Sequence, residues 1–370
     1  MNENKKQQSE NNLTVITRSG TSPEILSLLQ QTIFGTKGKV RYRQKHIAEG
    51  MNSQRNLEFI QILKRNRVLG TTGVVTRNTS GLQNGIKSLY VRYLSVNNPF
   101  RKKEKNKAQG ISLRKERTSN QLKKMIGDQI TNHFEKPVFE ANEKASFYAF
   151  VESENYNSKE LCINLGFYPT RRVSTILFSR FFPKKSPKVS QTPFNDQLMV
   201  QEKLSAFYEE HSFYFEDRLF ESGTYLNLKK EGEIVAGIRY KAVNWEIVEV
   251  PGFSGFMMQK VLPYLPLTNK LFNPKNLNFL AFDYAWGKTE HILELMEHAC
   301  AESQINMGMF WGDVDSKIIL ELKKTRKLGF LYSINGEVTA EVMQRFINLN
   351  ENEKAELLSK PVFVSALDMT

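Results

Sequence analysis

Cysteine is nearly absent: Cys162 and Cys300 are the only two in 370 residues. Two cysteines cannot build a disulfide framework, and neither belongs to a CxxC zinc pattern. Histidine is scarce as well. The five histidines are scattered, with no HxxxH pair, so no metal site is expected. No apolar run approaches the ~18 residues that a membrane-spanning helix needs. Met1 to Asn12 is rich in Asn, Gln, Glu and Lys and has no apolar signal-peptide core. Residues 1–12 are therefore expected to be disordered, and the cytoplasm is the expected location. Apolar residues at 40% and charged residues at 25% exclude wholesale disorder. At roughly 150 residues per domain, the length suggests about two domains.

Acidic residues are short in the first half. Residues 1–190 carry 34 Lys+Arg against 14 Asp+Glu, a net of +20, whereas residues 191–370 carry 18 against 25, a net of −7. The overall +13 is the sum of two unlike units. A basic half suits phosphate-bearing ligands such as nucleic acid, an anionic membrane or a nucleotide cofactor, and equally suits a solvated face with no ligand. The densest run, Arg101 to Arg117, has no aromatic interleaving after Phe100 and no helix-turn-helix or zinc-finger pattern beside it. A stacking platform for single-stranded nucleic acid is not indicated.

The hydrophobic periodicity of the first half reads as β-α-β-β-β-α-β-α-β. The expected strands are Leu13 to Thr17, Leu57 to Leu63, Val68 to Thr76, Ser88 to Val96, Ser146 to Val151 and Arg172 to Phe182. The expected helices start at Ser22-Pro23-Glu24, run from Asn120 to Phe134, and run from Ser158 to Leu165 before Gly166. Residues 36–55 are polar and basic and carry no assigned element. Phe181 to Lys188, with two prolines and three lysines, reads as a linker, placed at 184–190. In the second half, helices are expected at Asn195 to His211, Glu290 to Cys300 and Ser316 to Lys327, the last capped by Asp315. Strands are expected at Gly223 to Leu228, Glu233 to Val243, Leu277 to Trp286, Met307 to Trp311, Phe330 to Ile334 and Val362 to Ala366. The pattern Leu-Gly-Phe ends a helix at 165–167 and recurs at 328–330, which marks a divergent duplication.

Two stretches of the first half resemble the GNAT acyltransferase superfamily. Asn155-x-x-Ser158-x-x-Leu161-Cys162-x-x-x-Gly166-Phe167 follows the family's Asn-x-x-Ala-x-x-Leu-Tyr-x-x-x-Gly-Phe, departing at Cys162. Arg114-Lys-Glu-Arg117-Thr118-Ser119-Asn-Gln-Leu122 follows the cofactor signature Arg/Gln-x-x-Gly-x-Gly/Ala-x-x-Leu, departing at Arg117. Alternative registers start at Arg101 and at Lys107. The resemblance implies an α+β fold: two tandem GNAT-like domains, each a mostly antiparallel twisted sheet flanked by helices. The expected limits are 13–183 for an acyl-CoA-binding domain and 191–370 for a degenerate copy.

What the resemblance implies about chemistry is direct transfer of an acyl group, acetyl by default, from acyl-CoA to an amine. A loop at a helix N-terminus suits pyrophosphate, which points to Arg114, Arg117, Thr118, Ser119, Asn155 and Ser158 for the cofactor. Backbone N–H groups of Leu94, Ser95 and Val96, on a strand that splays from its neighbour in the family, would hold the developing oxyanion. Glu152 and Glu154 are the candidate bases for an ammonium of reference pKa ~10.4. Cys162, or else Tyr168 or Tyr156, would return a proton to the thiolate. The acceptor is expected to be an amine-bearing small molecule or peptide. Two rivals are a non-enzymatic acyl-CoA-binding or scaffold protein and, ranked third, a nucleic-acid-associated protein. No membrane partner is expected, and the sequence does not determine the oligomeric state.

Overall fold

The computed structural model describes residues 13–96, 124–252, 255, 271–335 and 337–370. In the first half these form β1 (Leu13–Ser19), α1 (Pro23–Gln31), β2 (Arg41–Gln44), α2 (Ile47–Asn52), β3 (Leu57–Lys64), β4 (Arg67–Thr79) and β5 (Ile86–Val96). After the undescribed residues 97–123 come α3 (residues 124–140, with a π turn at Ile130–Glu135), β6 (Ala145–Glu152), α4 (Tyr156–Asn164) and β7 (Tyr168–Ser179). The second half contributes β8 (Val189–Gln191), α5 (Gln197–Phe207), β9 (Thr224–Lys230), β10 (Glu233–Glu249), β11 (Leu277–Trp286), α6 (Thr289–Ser303) and β12 (Met307–Asp313). It closes with α7 (Lys317–Lys324), α8 (Phe330–Asn335), β13 (Val338–Ile347), α9 (Glu351–Ser359) and α10 (Ala366–Met369).

All 13 strands of the described residues belong to one sheet, ordered β1-β3-β4-β5-β6-β13-β7-β12-β11-β10-β9-β8, with β2 added beside β10. The two expected units thus share a single sheet. Their seam is an exchange: β13 of the second half pairs with β6 of the first, and β7 of the first pairs with β12 of the second. Each half repeats the same core, an antiparallel run (β3-β4-β5 or β9-β10-β11) followed by one parallel neighbour (β6 or β12). The sheet is therefore mixed and mostly antiparallel, as expected.

Alternation along the strands divides the apolar residues between the two faces. On β6, Phe147, Ala149 and Val151 pack beneath α3 with Ile126, Ile130 and Phe134, while Tyr148 and Phe150 face the opposite side. That opposite side is a core common to both halves, where Ile25 and Leu29 of α1 meet Trp245, Phe279 and Trp311. Helix α1 starts as its sequence predicts: Ser22 Oγ accepts from the Ile25 N–H at 3.3 Å, and Pro23 takes the first helical position.

Four expectations need correction. The polar stretch 36–55 holds β2 and α2, because β2 pairs with β10, a partner about 200 positions away that local periodicity cannot reveal. Residues 330–334 are helical in α8 and not a strand. Gly329 there has φ +101, and a Cβ on it would lie 2.1 Å from the Ser179 carbonyl oxygen, so the chain turns tightly against the end of β7. Ser179 Oγ then accepts from the Leu331 N–H at 3.1 Å, which favours a helical first turn. Residues 362–366 are not a named strand; they make one isolated bridge, Ser212 to Val362, and lead into α10. Asp315 does not cap α7: Ser316 is the N-cap, and the Asp315 carboxylate instead accepts from Arg171 Nη2 at 3.0 Å.

Candidate functional site

Strands β5 and β6 begin as a parallel pair and then part. Their register runs from Lys87↔Ala145 to Tyr90↔Tyr148 and stops there, although β5 continues to Val96 and β6 to Glu152. A bulge drives the divergence. Tyr93 has φ 55, and the β4/β5 register shifts between Thr71 and Gly73. From Val91 onward, the β6-facing edge of β5 has no strand partner among the described residues. The splay expected from the resemblance is present, with Leu94, Ser95 and Val96 on its β5 arm. Leu94 is exposed, and Ser95 Oγ shares a 2.5 Å hydrogen bond with Thr32 Oγ1 at the end of α1.

Glu152 and Glu154 close the β6 arm, and one loop engages both. The Thr36 N–H and hydroxyl donate to Glu152 Oε2 at 3.0 and 2.6 Å. Lys39 Nζ lies 2.6 Å from Glu154 Oε2, with both side chains about half exposed. Thr36 and Lys39 belong to a hairpin whose base is the Phe34–Tyr42 bridge. Tyr42 stacks on Trp245 of β10 at 3.9 Å between ring centroids, and β2 continues into the β10 pairing. The sequence reading missed Thr32, Thr36 and Lys39. The Gly35-Thr36-Lys37-Gly38 spacing was the available signal, since two glycines three apart mark a tight turn.

The remaining expected residues disperse. Asn155 is the N-cap of α4, its Oδ1 accepting from the Ser158 N–H at 3.2 Å, so this pair orders the helix beside the splay. Cys162 packs against the apolar layer beneath α3, and burial pushes its thiol up to about 11. Tyr168 is separated from β6 by β13: both Tyr148 and Tyr168 register with Gln344, which puts Tyr168 two strand spacings, about 10 Å, from β6. Its neighbours are Phe346, with ring centroids 6.0 Å apart, and the charges of Lys354 and Glu351. Tyr156 opens α4 and is exposed. Arg114, Arg117, Thr118 and Ser119 lie outside the described residues, as do the alternative loop registers.

The second half repeats the splay and fills it. The β11/β12 register spans only Leu280↔Gly308 to Phe282↔Phe310, and Tyr284, with φ 48, takes the place of Tyr93. Into this gap comes the segment 361–366. The Val362 N–H donates to Asp313 Oδ2 at 3.0 Å on one arm, and the Ala366 N–H donates to Asp283 Oδ2 at 2.8 Å on the other. Asp283 also holds Arg239 through Nε at 2.7 Å and Ser365 Oγ at 2.9 Å. Beyond it, α10 rests on the first half: Arg77 grips the Asp368 carboxylate at 2.9 and 3.2 Å, and Arg92 donates to the Leu367 and Thr370 carbonyl oxygens at 2.6 and 2.8 Å. One splay is therefore occupied by the chain itself, while the other is flanked by carboxylates.

No family model matches the chain, and no curated protein matches it. Solved structures do. A structure of Saccharomyces cerevisiae N-myristoyltransferase with bound myristoyl-CoA aligns over 95% of this chain and 89% of that one, with a TM-score of 0.56 at 10% identity. The chain shares its fold with that enzyme. A second yeast N-myristoyltransferase structure with bound myristoyl-CoA covers 95% of this chain and 84% of that one, at TM-score 0.57 and 9% identity. A GCN5-related N-acetyltransferase from Kribbella flavida aligns over 92% of this chain and 72% of its own, at TM-score 0.46 and 9% identity. The N-myristoyltransferase likeness runs through both halves, so it covers the shared sheet and not one copy of the repeat.

Proposed function

We propose that the chain is an N-acyltransferase that moves an acyl group from acyl-CoA directly to an amine. The observation that carries this reading is the parting of β5 and β6 after Tyr90↔Tyr148, which leaves backbone on a bulged strand without a strand partner among the described residues, beside two carboxylates. The thioester enters between the arms, and the N–H groups of 94–96 polarise its carbonyl. Glu152, oriented by the two Thr36 donors, takes a proton from the acceptor ammonium. The amine nitrogen bonds to the carbonyl carbon, the carbon–sulfur bond breaks, and CoA departs as a thiolate. Thiols have reference pKa values near 8.5, so solvent returns that proton and no side-chain acid is needed. Cys162 is not assigned the role: its raised pKa makes it hold its own proton more tightly than a free thiol does. The second half contributes Trp245 and the α10 supports, and its own splay is filled, so among the described residues the β5/β6 splay is the one proposed for the cofactor.

Fold similarity to an enzyme crystallised with myristoyl-CoA supports acyl-CoA as the donor class and puts long chains beside the acetyl default. The test is thermal stability with acetyl-CoA and myristoyl-CoA, followed by thiol release across a panel of amines. A ligand at about 100 times its Kd adds ~2.7 kcal/mol. Glu152→Gln should keep that stabilisation and lower kcat about 100-fold or more. Stabilisation without turnover on any amine would favour the acyl-CoA-binding reading, which the engagement of both carboxylates by Thr36 and Lys39 also motivates. No stabilisation by either thioester would refute the donor assignment.

A further inference from the structure

We infer that Lys39 is an acceptor built into the chain, and that the protein acylates its own Lys39 ε-amine. This rests on the transferase reading above and concerns the same splay. The hairpin carrying Lys39 is held at its base and at its tip. Phe34 and Tyr42 exchange backbone hydrogen bonds at 2.8 and 3.1 Å, and the Lys39 N–H donates to the Thr36 carbonyl at 3.0 Å. Gly35 has φ +90, and a Cβ there would come within 2.2 Å of the Val40 carbonyl oxygen, so the two limbs lie in close contact. The Thr36 bonds to Glu152 fasten this hairpin to the last residue of β6, at the open end of the splay. A primary amine is thereby tethered on the loop that engages both candidate bases, with its ammonium on Glu154 at 2.6 Å. An ion pair this exposed is weakly held in water, so the amine is free to exchange partners. Lys37, exposed on the same turn, is paired with neither carboxylate and provides an internal control.

The step balances without any further reactant. Lys39 gives a proton to Glu152, its neutral nitrogen bonds to the thioester carbonyl carbon, and the carbon–sulfur bond breaks. CoA leaves as a thiolate and takes up a proton. The product is a neutral amide at Lys39, which no longer pairs with Glu154. Acylation would therefore unfasten one of the two contacts that hold the hairpin over the β6 arm.

The experiment incubates the full chain with acetyl-CoA and, separately, with myristoyl-CoA, and maps adducts by peptide mass spectrometry. The expected result is an adduct at Lys39 with at least tenfold higher occupancy than at Lys37 or other surface lysines. Its rate constant should be independent of protein concentration and fall about 100-fold in Glu152→Gln. Lys39→Arg should abolish it and retain the thermal stabilisation by acyl-CoA. Equal labelling of many lysines, or equal labelling of the urea-unfolded chain, identifies ordinary chemical acylation and overturns the inference. An unlabelled Lys39 in a protein that acylates an added amine overturns it too, leaving the transferase reading intact. Absence of both acyl-CoA stabilisation and thiol release overturns the two together.

Discussion

Replacing Asp283 by Ala should be among the most damaging single changes outside the apolar core. Asp283 and Arg239 are each about 1% exposed, and the carboxylate accepts from Arg239 Nε, Ser365 Oγ and the Ala366 N–H. The substitution leaves a guanidinium buried without its counter-charge, a situation that costs ~3–5 kcal/mol. It also frees the Ala366 N–H from its charged acceptor at the point where the 361–366 segment crosses the second splay. Replacing both partners with apolar residues of similar size removes the unpaired charge, and such exchanges are often close to neutral. The assay is a double-mutant cycle by urea denaturation, using Asp283→Leu, Arg239→Met and the double variant. The double variant should be less destabilised than the sum of the singles by at least ~3 kcal/mol. Additive costs would refute the reasoning, as would a single-variant loss below ~1 kcal/mol.

Burial pushes His211 down to about 4 from its ordinary 6.5, so the unfolded chain binds the extra proton first. Stability from this group is fully present above about pH 6.5 and lost as pH falls towards 4, a span of ~3 kcal/mol that His211→Gln should remove from the pH–stability profile. Gly237→Ala would set a Cβ 2.6 Å from Trp286 Nε1 and 2.7 Å from Tyr225 Oη, both buried, and should cost ~1–3 kcal/mol in chemical denaturation. Burial also pushes the Cys162 thiol up to about 11 and the Cys300 thiol up to about 12. A disulfide reagent at pH 8 should label both about 100-fold more slowly in the native protein than in urea, and fast labelling of Cys162 would show that its face of α4 is not packed against the apolar layer beneath α3.

The elements with strong local signals were legible in the sequence. Ser22-Pro23-Glu24 marked the start of α1, and short apolar runs marked β5, β6 and β11, because caps and apolar runs are local properties. The splay was legible only through the GNAT-like motif spacing, since the bulges at Tyr93 and Tyr284 have no glycine to announce them. The strand exchange was not legible: β7 looks like an ordinary half-buried strand whichever neighbour it takes, and β13 was not among the expected strands at all. That same exchange separates Tyr168 from the splay, which is why a motif-adjacent phenol proved distant. Glu152 and Glu154 could be nominated because carboxylates at a strand end stand out in the sequence, and they do lie at the end of β6. Their partners Thr36 and Lys39, more than a hundred positions earlier, reach them only through the β2 hairpin.

The exchanged strands also set an order on synthesis and refolding. β6 ends at residue 152, and the partner that covers its far edge, β13, begins at residue 338. Until that strand arrives, the first half presents an apolar strand with an open edge, the feature that templates edge-to-edge aggregation. Contacts of such long sequence separation slow folding and lengthen the exposure. A chain cut near residue 190 should therefore be a poor soluble fragment even though it contains both arms of the splay and the hairpin beside them. Activity measurements on this protein call for the full chain, and its yield on refolding should depend on dilution more steeply than that of two independently folding domains.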